Sequence, residues 1–429
     1  VTAGNMAIGA SNLPADGYYS GFFIGRELHA MGINMNFAPT VDLYLNPYAH
    51  VIGPRAFSDN PVQAASLAVA FFHGLADAGI ICTAKHFPGH GNTDMDSHTG
   101  LPVISTDFAT LWDSELVPYR FLIREGLPAI MSGHIAYPVI TGDSKPASLS
   151  PRMLTGVLRE KLNFGGIIIT DDLQMEGVMI DGLDQGEIAL AALKAGNDMV
   201  MISRGPETHE LIRKTLLRAV REDPVFKTSV RQSVLRILEA KLKWIKKPGG
   251  VPLYPDAANL KNLIPDREGK DYFLSLAGRS ATVFRDEGLP FSPRKEKKVL
   301  LVGQYDDFLK TGKTRIPWAD SLSINYNPFY SADKDEVQRV KNRAKDYDTV
   351  VFCLANPRSL QILKGLKELG GRVIVLSVLT PVYLREVPWV STAIAVYGTG
   401  IESFQAGFAV IMGDFKSEGR PPFTMPPFP

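Results

Sequence analysis

The chain has 429 residues, more than one ordinary hydrophobic core accommodates, so two domains are expected. Hydrophobic residues make up 45% and charged residues 21%, an ordinary globular composition. Lys plus Arg number 46 against 45 Asp plus Glu, which leaves no electrostatic footprint for nucleic acid or an anionic membrane, and no apolar run approaches the roughly 18 residues of a bilayer span.

In chain order, Gly32–Asp42 (GINMNFAPTVD) reads as a strand and its exit, Pro61–Gly79 as a helix, and Gly79–Gly89 (GIICTAKHFPG) as a second strand. Helical spacing covers Asp107–Gly126, and Leu127–Ile135 (LPAIMSGHI) is a third strand. Ser150 is placed to cap a helix with Pro151 at its first position. Gly165–Leu173 (GGIIITDDL) is a fourth strand, followed by a helix near Gln185–Ala195 and a fifth strand at Gly196–Ser203. Helices near Pro206–Glu222 and Val230–Ile245 close this half. The alternation implies a parallel sheet of βαβ units, and the nearly continuous apolar strands imply burial on both faces.

Lys246–Pro265, with KKPGG and several prolines, breaks the pattern. The expected organisation is a first domain over residues 1–247, a linker over 248–270 and a second, smaller α/β domain over 271–429. Its strands are read at Lys298–Gly303, Thr349–Ala355, Arg372–Leu379 and Thr392–Gly398, with helices near Pro357–Leu369 and Ile401–Met412. Cys82 and Cys353 fall in different predicted domains, without disulfide or metal-type spacing. They fit a reducing compartment and favour the cytoplasm over secretion. The chain opens on Val1 with no signal-type segment, so residues upstream of it are expected.

Polar residues gather where the first-half strands end. Asn36 and Asp42 flank the first, Lys85 and His86 end the second within KHFPGHG (Lys85–Gly91), Ser132 and His134 end the third, and Asp171 and Asp172 end the fourth. In a βα barrel the loops after the strands build the active site, so these residues converge on one pocket. Four of the eight histidines, His86, His90, His98 and His134, lie in this interval. Side chains alternate across a strand, so Asp171 and Asp172 divide two roles, one facing the pocket and one capping the turn, and position alone does not choose between them. Asp96 stands two residues before His98, where a carboxylate can orient an imidazole and make it a proton donor near neutrality. His86, His90, Asp94, Asp96 and His98 also carry zinc-ligand chemistry. The commoner reading, hydrogen bonding around a Pro-Gly turn, is preferred, and no metal or cofactor is expected.

KHFPGHG, then Asp96-Ser97-His98, then Ile169–Leu173 (ITDDL) with Met175 and Gly177, resembles the bacterial β-N-acetylglucosaminidases of glycoside hydrolase family three. Val51–Phe57 (VIGPRAF) matches that group's Ile-Gly-x-Arg-x-Phe motif, Asn5–Ala10 its upstream segment, and Leu149–Gly177 reads like it almost continuously. The resemblance spans residues 1–245, and the second half looks like the sandwich domain of two-domain members. It implies a (β/α)8-type TIM barrel followed by a smaller α/β three-layer sandwich, and a retaining, exo-acting β-N-acetylglucosaminidase. By position Asp171 becomes the nucleophile, His98 the general acid/base and Asp96 its partner. Arg55, Lys85 and His86 would hold the sugar hydroxyls, and Met175 would border the pocket. The family's Asp-x-Glu-Gly-Gly segment is absent, and five barrel strands are read where eight are needed, so an incomplete barrel lacking its first three strands is expected. The implied partner is a small carbohydrate from peptidoglycan or chitin. No nucleic acid or membrane span is expected, and the sequence leaves the oligomeric state open. Alternatives are a β-glucosidase or xylosidase of the same family, an N-acetylglucosaminide phosphorylase, a zinc-dependent hydrolase and a non-catalytic sugar-binding protein.

Overall fold

Alternating apolar and amphipathic segments fold into two α/β units, one of Pro14–Gly269 and one of Val1–Leu13 with Lys270–Pro429. The computed structural model describes residues 2–47, 49, 52–93, 100–179, 182–327 and 332–425.

In the first unit, β1 (Met35–Asn36), β2 (Ile81–Phe87), β3 (Ala129–Ser132), β4 (Ile167–Asp172) and β5 (Met199–Met201) lie side by side in chain order, all parallel. Helical segments make the crossovers that parallel neighbours need. β3 is buried throughout and β4 until its last two residues, because both sheet faces are covered. The edge strands β1 and β5 are only 2 and 3 residues long and half-buried. Among the described residues no further strand joins this sheet, which is therefore an open half-barrel of the strand number read from the sequence.

Asn60 and Asp223 each accept two backbone N–H groups at the starts of helices Pro61–Asp77 and Pro224–Ala240, and Asp184 forms a capping box with Glu187 ahead of Gln185–Ala195. Ser150 does not cap as expected: Arg152–Lys161 winds as a π-helix, and the N–H groups of Met153 and Leu154 go to the Ser150 carbonyl instead of its hydroxyl. At the strand starts, buried Asp198 accepts from Arg159 (2.5 Å), Ser233 (2.8 Å), Arg236 (2.8 Å) and the Ile168 N–H (2.9 Å). This ties helix 224–240 beneath the sheet, at the end of the barrel that carries stability rather than chemistry.

The second unit holds six strands in the order β6-β11-β10-β9-β7-β8. These are β6 (Thr282–Asp286), β7 (Val299–Gly303), β8 (Asp320–Ser323), β9 (Thr349–Leu354), β10 (Arg372–Ser377) and β11 (Thr392–Ala395). Only β6 runs antiparallel. Strand alternation sends Leu300, Val302, Val350 and Phe352 into one hydrophobic cluster and Val299, Leu301, Val351 and Cys353 into another, the two faces of a three-layer sandwich.

The domain boundaries differ from the sequence expectation at two places. Helix Asn5–Ser11 belongs to the sandwich unit, where Ala10 accepts from the Arg420 N–H at 3.0 Å. The stretch expected as a linker over 248–270 instead folds back on helix Pro14–Ala30. There Arg26 pairs with buried Asp266 at 2.9 Å and Glu27 accepts the Asp266 N–H at 2.8 Å.

Candidate active site

The ladder between β1 and β2 continues past the formal strands, with Val41 N–H donating to the Lys85 carbonyl at 2.8 Å. That register delivers Asp42 to the loop after β2. Its fully buried carboxylate accepts from His86 Nδ1 at 2.7 Å, the His90 N–H at 2.7 Å and the His86 N–H at 3.3 Å. Burial would raise the Asp42 pKa, but the two histidines and their N–H groups outweigh it and hold the carboxyl at about 2 against its ordinary 3.8. With Nδ1–H committed to Asp42, His86 presents Nε2 to Arg55, 3.4 Å away, and to Asp171 Oδ2, 3.8 Å away.

Asp171 and Asp172 close β4 with different duties. Asp172 Oδ1 accepts the N–H groups of Gln174 (3.1 Å) and Ser203 (3.2 Å), so its carboxylate pins the turn after the strand. Among the described residues Asp171 accepts only its neighbour's N–H, at 2.9 Å on Oδ1, and its Oδ2 faces His86. Burial pushes the Asp171 pKa up, yet His86, His134, the Asp172 N–H and Lys85 together bring it below the ordinary 3.8. His134 donates Nε2–H to the Asp172 carbonyl (3.1 Å) and accepts from Ser148 Oγ (2.7 Å), and its own burial lowers its pKa from 6.5. It is therefore neutral near pH 7. Burial and then Arg55 lower the Lys85 pKa, with Asp171 and Asp42 opposing them.

The structure thus brings together Arg55, Lys85, His86 and Asp171. Met175 is buried in the turn after β4, its N–H donating to the Asp172 carbonyl at 3.0 Å. His98, Asp96 and Asp94 lie outside the described residues, as does Val51 of the VIGPRAF segment. Among the described residues no three His, Cys, Asp or Glu side chains converge on a metal-sized point.

The Lys85–Gly91 loop sits on backbone. A Cβ on Gly91 would stand 1.5 Å from the Leu43 carbonyl oxygen and 2.6 Å from its carbon, while the Gly91 carbonyl accepts the Asn46 N–H at 3.0 Å. Only glycine fits so close an approach. Gly91→Ala is expected to cost about 3 kcal/mol of stability or more, read as a lower denaturant midpoint of the first unit. An unchanged midpoint would show that the loop does not rest on Leu43.

The sequence pattern described as "Glycosyl hydrolase family 3 N terminal domain" matches residues 2–240, more than half of the chain. This chain belongs to glycosyl hydrolase family 3. Curated relatives of this family 3 chain include a beta-hexosaminidase of Aromatoleum aromaticum, 39% identical over 188 residues, which are 44% of this chain and 52% of that protein. Another from Methylobacillus flagellatus is 42% identical over 188 residues, 44% of this chain and 53% of that protein. The chain spans about half the length of these curated relatives. Among solved structures, a glycoside hydrolase family 3 beta-N-acetylglucosaminidase from a Paenibacillus species superposes with a TM-score of 0.89 at 28% identity, covering 99% of this chain and 82% of that one. The fold is that of family 3 enzymes, a barrel-type sheet followed by an α/β sandwich.

Two residues of the family 3 chain's site stand outside the sequence-predicted set. Asp42 stands at a strand exit, and that position is its signal in the sequence. His134, noted at a strand end, is the buried neutral imidazole beside Asp171.

Proposed function

We propose that the protein is a retaining, exo-acting β-N-acetylglucosaminidase that removes terminal N-acetylglucosamine from peptidoglycan fragments or chitin oligomers. The observation that carries the reading is the division of labour at the end of β4. Asp172 is consumed by backbone N–H groups, whereas Asp171 presents an ionised carboxylate to His86 and Lys85. The beta-hexosaminidase names of the relatives support the substrate class.

In this reading an Asp171 oxygen attacks the anomeric carbon as the glycosidic C–O bond breaks, and His98 passes its proton to the departing oxygen. Water then attacks the same carbon, gives a proton back to His98, and the ester to Asp171 opens. Asp96 orients the His98 ring. Arg55, Lys85 and His86 hold the sugar hydroxyls, and Lys85 helps keep Asp171 anionic. Met175 borders the pocket.

The test is a comparison of aryl β-N-acetylglucosaminide with aryl β-glucoside on the full-length protein. The expected kcat/KM ratio favours the acetamido sugar by at least about a hundredfold. Equal rates, or a preference for the glucoside, would overturn the substrate assignment.

A further inference from the structure

Glu115 precedes helix Leu116–Arg124 and is only 2% exposed, although it carries no ion-pair partner among the described residues. Its side chain lies flat on the loop after β2. A Cβ on Gly89 would stand 2.6 Å from Glu115 Cβ and Cγ and 3.1 Å from Cδ. Gly89 is fixed from the other side, where Tyr137 Oη–H donates to its carbonyl at 2.8 Å. Glu115 Oε1 has no hydrogen-bond partner among the described residues, and Oε2 lies 3.2 Å from Ser114 Oγ. A hydroxyl has one proton, and that of Ser114 goes to the Thr110 carbonyl at 2.6 Å. Ser114 is therefore at most a weak donor to Glu115.

Among the described residues, the groups acting on Glu115 supply no counter-charge. They are the Asp42 carboxylate and the phenols of Tyr119 and Tyr137, all buried. His86 gives its Nδ1–H and backbone N–H to Asp42, and His90 gives it its backbone N–H. Two buried carboxylates close together cannot both ionise cheaply, and Asp42 holds the donors.

We propose that Glu115 is a positioning residue that works in its protonated form, holding the Lys85–Gly91 loop and so His86 against Asp171. Ionised, Glu115 repels Asp42 and must draw water or swing away. With Gly89 pressed on its stem, either movement shifts the loop. Burial, followed by the Asp42 charge and against the pull of Ser114, moves its carboxyl from 4.5 to about 7, which places this change near neutrality. The effect on turnover rests on the reading of this loop as part of a sugar-cleaving site.

The experiment compares full-length wild type, Glu115→Gln and Glu115→Ala in kcat/KM against pH with an aryl N-acetylglucosaminide. Wild-type kcat/KM falls above about pH 7 as Glu115 ionises. Glu115→Gln, permanently neutral and of the same shape, keeps activity within about threefold at pH 6 and moves that fall upward by at least about one pH unit. Glu115→Ala loses about tenfold at pH 6, because the stem on Gly89 is gone, lacks the wild-type fall above about pH 7, and is rescued at pH 6 by Gln. A Glu115→Gln profile that overlays the wild-type fall overturns the proposal. Infrared difference spectra between acid and alkaline pH read the proton without turnover. A protonated-carboxyl band that disappears on alkalinisation is expected in wild type and absent in Glu115→Gln. If the protein cleaves no N-acetylglucosaminide, the functional reading fails while the spectra still decide Glu115. No such band in wild type sinks the proposal whatever the substrate.

Discussion

Asp171→Ala is expected to lower kcat for an aryl N-acetylglucosaminide by on the order of 10³-fold or more, with the protein folded as before. The carboxylate that would form the glycosyl ester is removed, and no neighbour replaces it, because Asp172 is held by the N–H groups of Gln174 and Ser203. Asp172→Ala should show the opposite pattern. It frees two N–H groups and lowers the denaturant midpoint, while kcat falls far less than in Asp171→Ala. Equal loss of kcat in the two variants, with unchanged midpoints, would contradict the division of roles read from β4.

Asp42→Ala is expected to be among the most destabilising single changes in the first unit, about 3–5 kcal/mol by denaturant unfolding. It strands His86 Nδ1–H and the N–H groups of His86 and His90 in a buried site, where unsatisfied donors are costly. It also frees the His86 ring, so activity falls with stability. The pH dependence has a definite sign. The folded-state pKa of Asp42 lies near 2, below the ordinary 3.8. Its contribution is therefore fully present above the unfolded value and is lost as pH falls through that window. Wild type should lose stability between about pH 4 and pH 2, and Asp42→Ala should lack that part of the slope. Parallel slopes would assign acid sensitivity to other carboxylates.

Much of this molecule is legible in one dimension, and the exceptions have physical causes. The strands with long apolar runs, such as Ile167–Thr170, announce themselves because both faces are buried. β8 (DSLS) is an exposed polar edge strand, so it has no hydrophobic signature, and antiparallel β6 was missed as well. The proline-rich stretch before Lys270 looks like a linker until Asp266 meets Arg26, a pairing 240 positions apart that no local pattern encodes. At the site, Lys85, His86 and Asp171 could be picked out because strand ends converge in βα folds. Asp42 contacts His86 across 44 positions through sheet register alone. Glu115 sits beside an amphipathic helix where an acid usually faces water, and only the closeness of Gly89 reveals its burial.

The covalent intermediate is the centre of the proposed chemistry, and trapping it is the most direct test. The full-length protein would be incubated with a fluorinated N-acetylglucosamine analogue that forms the ester quickly and hydrolyses slowly, then digested and mapped by mass spectrometry. The predicted result is one sugar per chain, on the peptide carrying Asp171, with the label absent in Asp171→Ala. Labelling of Asp172, or turnover of the analogue with no protein-bound sugar at any time, would contradict the account.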